Sequence, residues 1–299
     1  TEEAKSALNN IKTIYIESNN VDEFIAYTKK IPEAEITQSE QDSISFQAIE
    51  NQYMNGDCQR AISGFQNYIS KYPDGAFYVV ANYYMADCLI KDSQKQEALQ
   101  AYENIIQKPK NEFTEKAILK AANLNFENKT YEKALQEFCL LEQTAEISTH
   151  KLQALLGEME CYYLLNKFDS TIITSNKILA LEKADENVSE KASYYLAKSL
   201  LKNANSGQAI EEFKKLTNAK NTEYASEAQY TLAEIQYNNG QLDESEKIIL
   251  EITSNPSSEF WLAKAFILWA DIFKERGNKI QAKQTLQSII DNYEGDQSI

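Results

Sequence analysis

The side chains that could do chemistry are few and scattered. The chain has one histidine, His150, and four cysteines, Cys58, Cys88, Cys139 and Cys161. Nucleophilic catalysis needs an imidazole beside a serine or cysteine and an acid to orient it. With one histidine, such a set can be built only once, and no motif marks it. No Cys-x-x-Cys pair occurs, and His150 gives no zinc-ligand spacing with the cysteines. Buried free thiols are the expectation for all four. No glycine-rich phosphate loop is present. The carboxylate pairs Glu158/Glu160 and Glu211/Glu212 read as solvated helix surface, and His150 as an exposed residue at the start of a helix. The expectation is a protein that is not an enzyme and holds neither cofactor nor metal.

Charge narrows the partners. With 30 Lys and Arg against 45 Asp and Glu, the net charge is −15. Nucleic-acid backbones and anionic lipid surfaces both require a basic face, so neither is expected. No apolar run approaches the length of a membrane-spanning helix, and no signal peptide is seen. The chain opens on Thr1 already inside a helical pattern, as a piece of a longer protein would.

The elements that position these residues are clearest over 230–252. Ala228, Leu232, Ala233, Ile235 and Tyr237 recur three and four apart and share one helical face. Asn239-Gly240 closes that helix, because glycine takes the left-handed conformation of a helix end. A second helix then carries Ile248, Ile249 and Ile252 before Pro256. Two helices joined this tightly leave one apolar side bare, which a neighbouring copy must cover.

Copies are present. Anchored on the small residue of the second helix, the unit recurs at Phe24, Ala61, Ala98, Ala134, Thr171, Ala209, Ser245 and Ala282, with steps of 36 to 38 residues. Seven positions after each anchor the residue is always apolar, from Ile31 and Tyr68 to Ile252 and Ile289. Twelve before it stand Ala86, Ala122, Ala197, Ala233 and Ala270, small enough for close helix approach. The copies around Phe24 and Thr171 depart most. Polar residues 33–42 and the charged stretch 182–190 read as loops, the latter as the candidate hinge in a single domain spanning 1–299. The expected fold is all-α, a solenoid of about eight antiparallel helix pairs. Leu286, Ile289 and Ile290 at its end would lack a covering helix, so self-association through uncapped ends is an expectation too.

The segments 56–73 (GDCQRAISGFQNYISKYP), 130–138 (TYEKALQEF) and 206–216 (SGQAIEEFKKL) resemble the tetratricopeptide repeat family. The resemblance covers nearly the whole chain, at a period longer than that family's usual ~34 residues. It implies a right-handed superhelix whose first helices line a concave, partner-binding groove. The inward positions it implies lie fifteen and eleven before each anchor. The first row includes Phe46, Tyr83, Leu119, Tyr194 and Tyr230, and the second includes Glu50, Asp87, Asn123, Glu160, Lys198, Glu234 and Asp271. Aromatic faces beside carboxylates suit an extended segment with apolar and Lys or Arg side chains. The competing reading is that the aromatic row packs between adjacent first helices. Some family members grip an acidic tail with a Lys/Asn/Arg clamp. Asn123 fits one such position, but Leu119 stands where the lysine should be, so no clamp is expected.

The stretch 65–89 (FQNYISKYPDGAFYVVANYYMADCL) is similar to bacterial envelope repeat proteins of the outer-membrane assembly lipoprotein and Tol-Pal-associated types. The expected function is a non-catalytic scaffold that binds protein or peptide segments, periplasmic or outer-membrane associated. The alternative is a regulatory or targeting segment of a larger enzyme or signalling protein, with a cytoplasmic location.

Overall fold

A single residue with positive φ closes each helix pair. These residues are Asn19, Gly56, Ser93, Lys129, Asn166, Ala204, Gly240 and Gly277, each five positions before its anchor. Only three are glycine, so the turn geometry is more regular than the residues that make it. The computed structural model describes residues 2–31, 34–181 and 185–295. Among them every regular element is a helix, which bears out the all-α repeat fold.

The chain groups into two compact units, residues 1–157 and 158–299. The first holds α1 (Glu2–Glu17), α2 (Val21–Thr28), α3 (Gln38–Met54), α4 (Cys58–Lys71), α5 (Tyr78–Lys91), α6 (Lys95–Ile106), α7 (Thr114–Glu127) and α8 (Tyr131–Thr144). The boundary falls inside α9 (Ser148–Leu164). The second unit continues with α10 (Phe168–Leu179), α11 (Glu186–Lys202), α12 (Ser206–Leu216), α13 (Thr222–Asn238), α14 (Leu242–Ser254), α15 (Glu259–Glu275) and α16 (Lys279–Asn292).

Within each unit, every helix packs on the next in the chain, and first helices also touch across pairs, α1 on α3, α3 on α5 and α13 on α15. The anchor column explains why the spacing is so strict. Phe24, Ala61, Ala98, Ala134, Thr171, Ala209 and Ser245 are all buried, at the point where a second helix crosses its own first helix. Ser245 satisfies its hydroxyl there by donating to the Ala233 carbonyl at 2.8 Å. Four residues on, Phe65, Tyr102, Phe138, Phe213 and Ile249 fill the space between pairs. In α16 none of the residues is buried, and Leu286 and Ile290 are exposed.

Three readings are corrected. The first loop is shorter than 33–42: α3 starts at Gln38, because Thr37 and Glu40 form a capping box in which each side chain accepts the other's backbone N–H. The stretch 186–190 is helical, since the Asp185 carboxylate accepts the Val188 N–H and starts α11; residues 182–184 lie outside the described residues. The cysteines are not all free thiols: Cys58 and Cys88 form a disulfide, with Cα atoms 5.1 Å apart. Cys58 opens α4 and Cys88 lies in α5, which packs on α4. Helix packing brings together two cysteines that share no motif.

Candidate protein-binding faces of the first helices

The aromatic row forms a seam between consecutive repeats. Phe46 stacks on Phe77 at 4.5 Å, Tyr83 meets Phe113 at 4.7 Å, Tyr194 stacks on Tyr224 at 4.3 Å, and Tyr230 meets Trp261 at 5.3 Å. In each case the ring fifteen before one anchor meets the ring twenty-one before the next. Phe46 and Tyr230 are both buried in hydrophobic clusters, and Tyr83 and Tyr194 are half-buried. The row therefore serves packing first, and only Tyr83 and Tyr194 keep substantial surface.

The charged row forms rungs to the next repeat. In the second unit Glu160 pairs with Lys191, and Lys198 pairs with Glu227 at 2.8 Å. In both, the residue eleven before one anchor meets the residue eighteen before the next, with the polarity reversed at each step. By that rule Glu234 should meet Lys264. Instead Glu234 accepts the Tyr230 hydroxyl at 2.9 Å, and the Lys264 ammonium lies over the rings of Tyr230, Trp261 and Phe260. Burial, then the charges of Asp271 and Glu275, raise the Tyr237 hydroxyl pKa. Glu234 and Asp271 make no ion pair among the described residues, so of the predicted carboxylates in this unit only Glu160 is neutralised.

In the first unit Asp87 accepts the Tyr53 hydroxyl at 3.0 Å and the Lys91 ammonium at 2.7 Å. Burial and this bond push the Tyr53 hydroxyl up to about 12. Tyr53 in turn stacks on Tyr84 at 4.4 Å, and Glu50 lies near enough to help raise the Tyr84 hydroxyl, after burial. Tyr83 and Asp87 open onto a cleft of about 530 Å³ whose other walls include Tyr102, Lys120, Asn123 and Phe126. An apolar floor with a few convergent polar groups of both signs is the usual form of a recognition site.

Tyr53, Tyr84, Lys198, Glu227 and Lys264 belong to these faces, and of them the inward rows contain only Lys198. A signal exists for Tyr53, Glu227 and Lys264, though not for Tyr84. The column eight before the anchor holds Tyr53, Phe126, Tyr163 and Tyr237, and the column eighteen before it holds Lys191, Glu227 and Lys264.

Two chemical readings also change. His150 is not an exposed loop residue: it lies in α9 with its Nδ1 2.8 Å from the nearly buried Glu115 carboxylate. Glu158 is buried rather than solvated; its column also holds Met85, Leu196 and Ala121, all buried as well. Glu211 is exposed and paired with Lys214, while Glu212, paired with Lys215, is half-buried. No group of residues able to hold a metal and no helix long and apolar enough to cross a membrane occurs among the described residues.

Residues 28–160 match a tetratricopeptide repeat-like domain family, and residues 260–295 a tetratricopeptide repeat family. No curated protein matches the chain. Many solved structures are similar in fold, and two of them are repeat proteins. The C-terminal part of a TPR repeat-containing protein from Cytophaga hutchinsonii aligns with a TM-score of 0.59 and 15% identity, over 84% of this chain and 96% of that one. A tetratricopeptide repeat protein from Parabacteroides merdae aligns with a TM-score of 0.50 and 17% identity, over 86% and 95%. At these identities the likeness speaks to the fold alone.

Proposed function

We propose that this chain of tetratricopeptide-like repeats is a non-catalytic interaction module that holds an extended protein segment against its first helices. Repeats of this kind are generally protein-interaction scaffolds. The observation that carries the reading is the cleft at Tyr83 and Asp87, where a half-buried ring, an apolar floor and polar groups converge. Glu234 and Asp271, without ion pairs among the described residues, give the second unit a preference for Lys or Arg beside apolar side chains. The test is capture of acetyl- and amide-blocked peptides of alternating arginine and valine by the immobilised chain. Asp87→Lys should reduce capture about tenfold or more, with the circular dichroism unchanged. Equal capture by wild type and variant would remove the cleft as the site.

We also propose an extracytoplasmic setting, at the bacterial envelope. The Cys58–Cys88 disulfide supports it, since such bonds persist in oxidising compartments and are rare in the cytosol. The similarity of 65–89 to envelope repeat proteins points the same way. Fractionation of cells expressing the natural full-length protein should place it in the periplasmic or outer-membrane fraction with this bond intact. Recovery from the cytosol in reduced form would overturn the assignment.

A further inference from the structure

The broken third rung has a specific consequence. Lys264 is half-buried, and its ammonium lies 5.1 Å from the centroid of Tyr230, 5.2 Å from Trp261 and 5.6 Å from Phe260. Each distance is within the range of a cation–π contact. The rings are fixed. Trp261 donates its indole N–H to Glu223 at 2.5 Å, stacks its edge on Phe260 at 5.0 Å and packs on Tyr230 at 5.3 Å. The Tyr230 hydroxyl is tied to Glu234. Lys198 offers the internal comparison. It too lies over two rings, Tyr194 and Tyr163, yet its ammonium is also neutralised by Glu227 at 2.8 Å. Lys264 has the rings without the acid, while Glu234 stands beside the cage with no cationic partner among the described residues.

We propose that Tyr230, Phe260 and Trp261 form a cage for a lysine or arginine side chain of the bound segment, and that Lys264 occupies it as a displaceable internal stand-in. This rests on the reading that the partner segment is basic. On binding, the incoming cation takes the cage and lies next to Glu234, and the flexible Lys264 side chain swings out to water. Arginine suits the cage best, because its planar guanidinium stacks on rings and loses less hydration than an ammonium.

The test uses the full chain, the blocked arginine–valine peptide and titration calorimetry. Lys264→Ala empties the cage and should bind roughly three- to tenfold more tightly than wild type, the worth of one cation–π contact. Lys264→Met removes the same charge but leaves a flexible side chain plugging the rings, and should gain no more than Lys274→Ala, an exposed charge on the same helix. Equal gains in all three variants would reduce the effect to net charge and overturn the cage. A peptide of aspartate and valine that binds wild type and is lost with Lys264→Ala would assign Lys264 to a carboxylate, and also overturn it. If wild type and Lys264→Ala are folded and neither binds the arginine peptide, the basic-segment reading falls and takes the cage with it. If wild type binds and the three variants do not differ, the cage alone falls.

Discussion

Glu115, on the first helix α7, accepts the backbone N–H of Glu146, 31 residues further on, at 2.8 Å. The same carboxylate takes the N–H of Ile147 and faces His150, so one side chain gathers the loop that leads into α9. The arrangement recurs. Asp42 accepts the Ala76 N–H at 2.8 Å, and Glu190 accepts those of Lys220 and Asn221 at 2.6 and 3.1 Å. All three lie nineteen before their anchors, in alternate repeats; Val79, Leu152 and Ser226 hold that column in the repeats after each of them. A helix start leaves backbone donors without intrahelical partners, and here the preceding repeat supplies the acceptor.

An acid-dependent stability follows from Glu115. Burial opposes its charge, but the Glu146 N–H, the His150 ring and the Ile147 N–H together outweigh burial and hold the carboxyl below its ordinary 4.5. A lowered pKa means stability that is present above the unfolded value and lost as the pH falls through the folded one. Glu115→Gln should therefore cost about 1–3 kcal/mol at pH 7, and the difference from wild type should shrink at acid pH, as the pH falls through the lowered folded value. Urea unfolding at neutral and acid pH measures this. A difference that stays constant across the range would mean that the charge plays no part.

The Cys58–Cys88 bond closes a loop with a sequence separation of 30. Cross-linking a loop of that size removes enough freedom from the unfolded chain to be worth about 3–4 kcal/mol. Reduction, or Cys58→Ser with Cys88→Ser, should lower the stability of the first unit by that amount, read as a lower denaturant midpoint, and leave the second unit unchanged. The cross-linked peptide pair seen by mass spectrometry confirms the starting state. An unchanged midpoint after verified reduction would show that packing of α4 on α5 alone sets the stability.

The helix pairs were legible because packing enforces side-chain size at a fixed period: a residue at an anchor touches another helix, so its column repeats. Even the deviant Phe24 and Thr171 are buried there. What stayed hidden depends on pairs of columns rather than on one. The disulfide joins residues from different columns of adjacent repeats, and His150 is drawn inward by a carboxylate 35 residues earlier. The aromatic row was visible, but its partners twenty-one before the next anchor decide that it forms a seam. The unjoined Glu234 and Lys264 could be noticed only after the two closed rungs had set the rule.

The turn residues give a paired stability prediction within the second unit. Ala204 is exposed and has φ +57°, while Gly240 occupies the equivalent turn at φ +73° with nothing near the place a Cβ would take. For an L-residue with a side chain that conformation costs about 1–2 kcal/mol, and only glycine escapes it freely. Glycine also loses more freedom on folding, by about 0.4–1 kcal/mol. Ala204→Gly should therefore stabilise the unit by roughly 0.5–1 kcal/mol, and Gly240→Ala should destabilise it by a similar amount. Neither site has a steric or hydrogen-bonding side-chain role to confuse the result, since both turns keep the same backbone bonds, Asn205 N–H to Leu200 and Gln241 N–H to Gln236, each at 2.9 Å. Thermal and urea unfolding of the two variants decide the matter: a destabilising Ala204→Gly would show that this turn relaxes out of the left-handed region in solution.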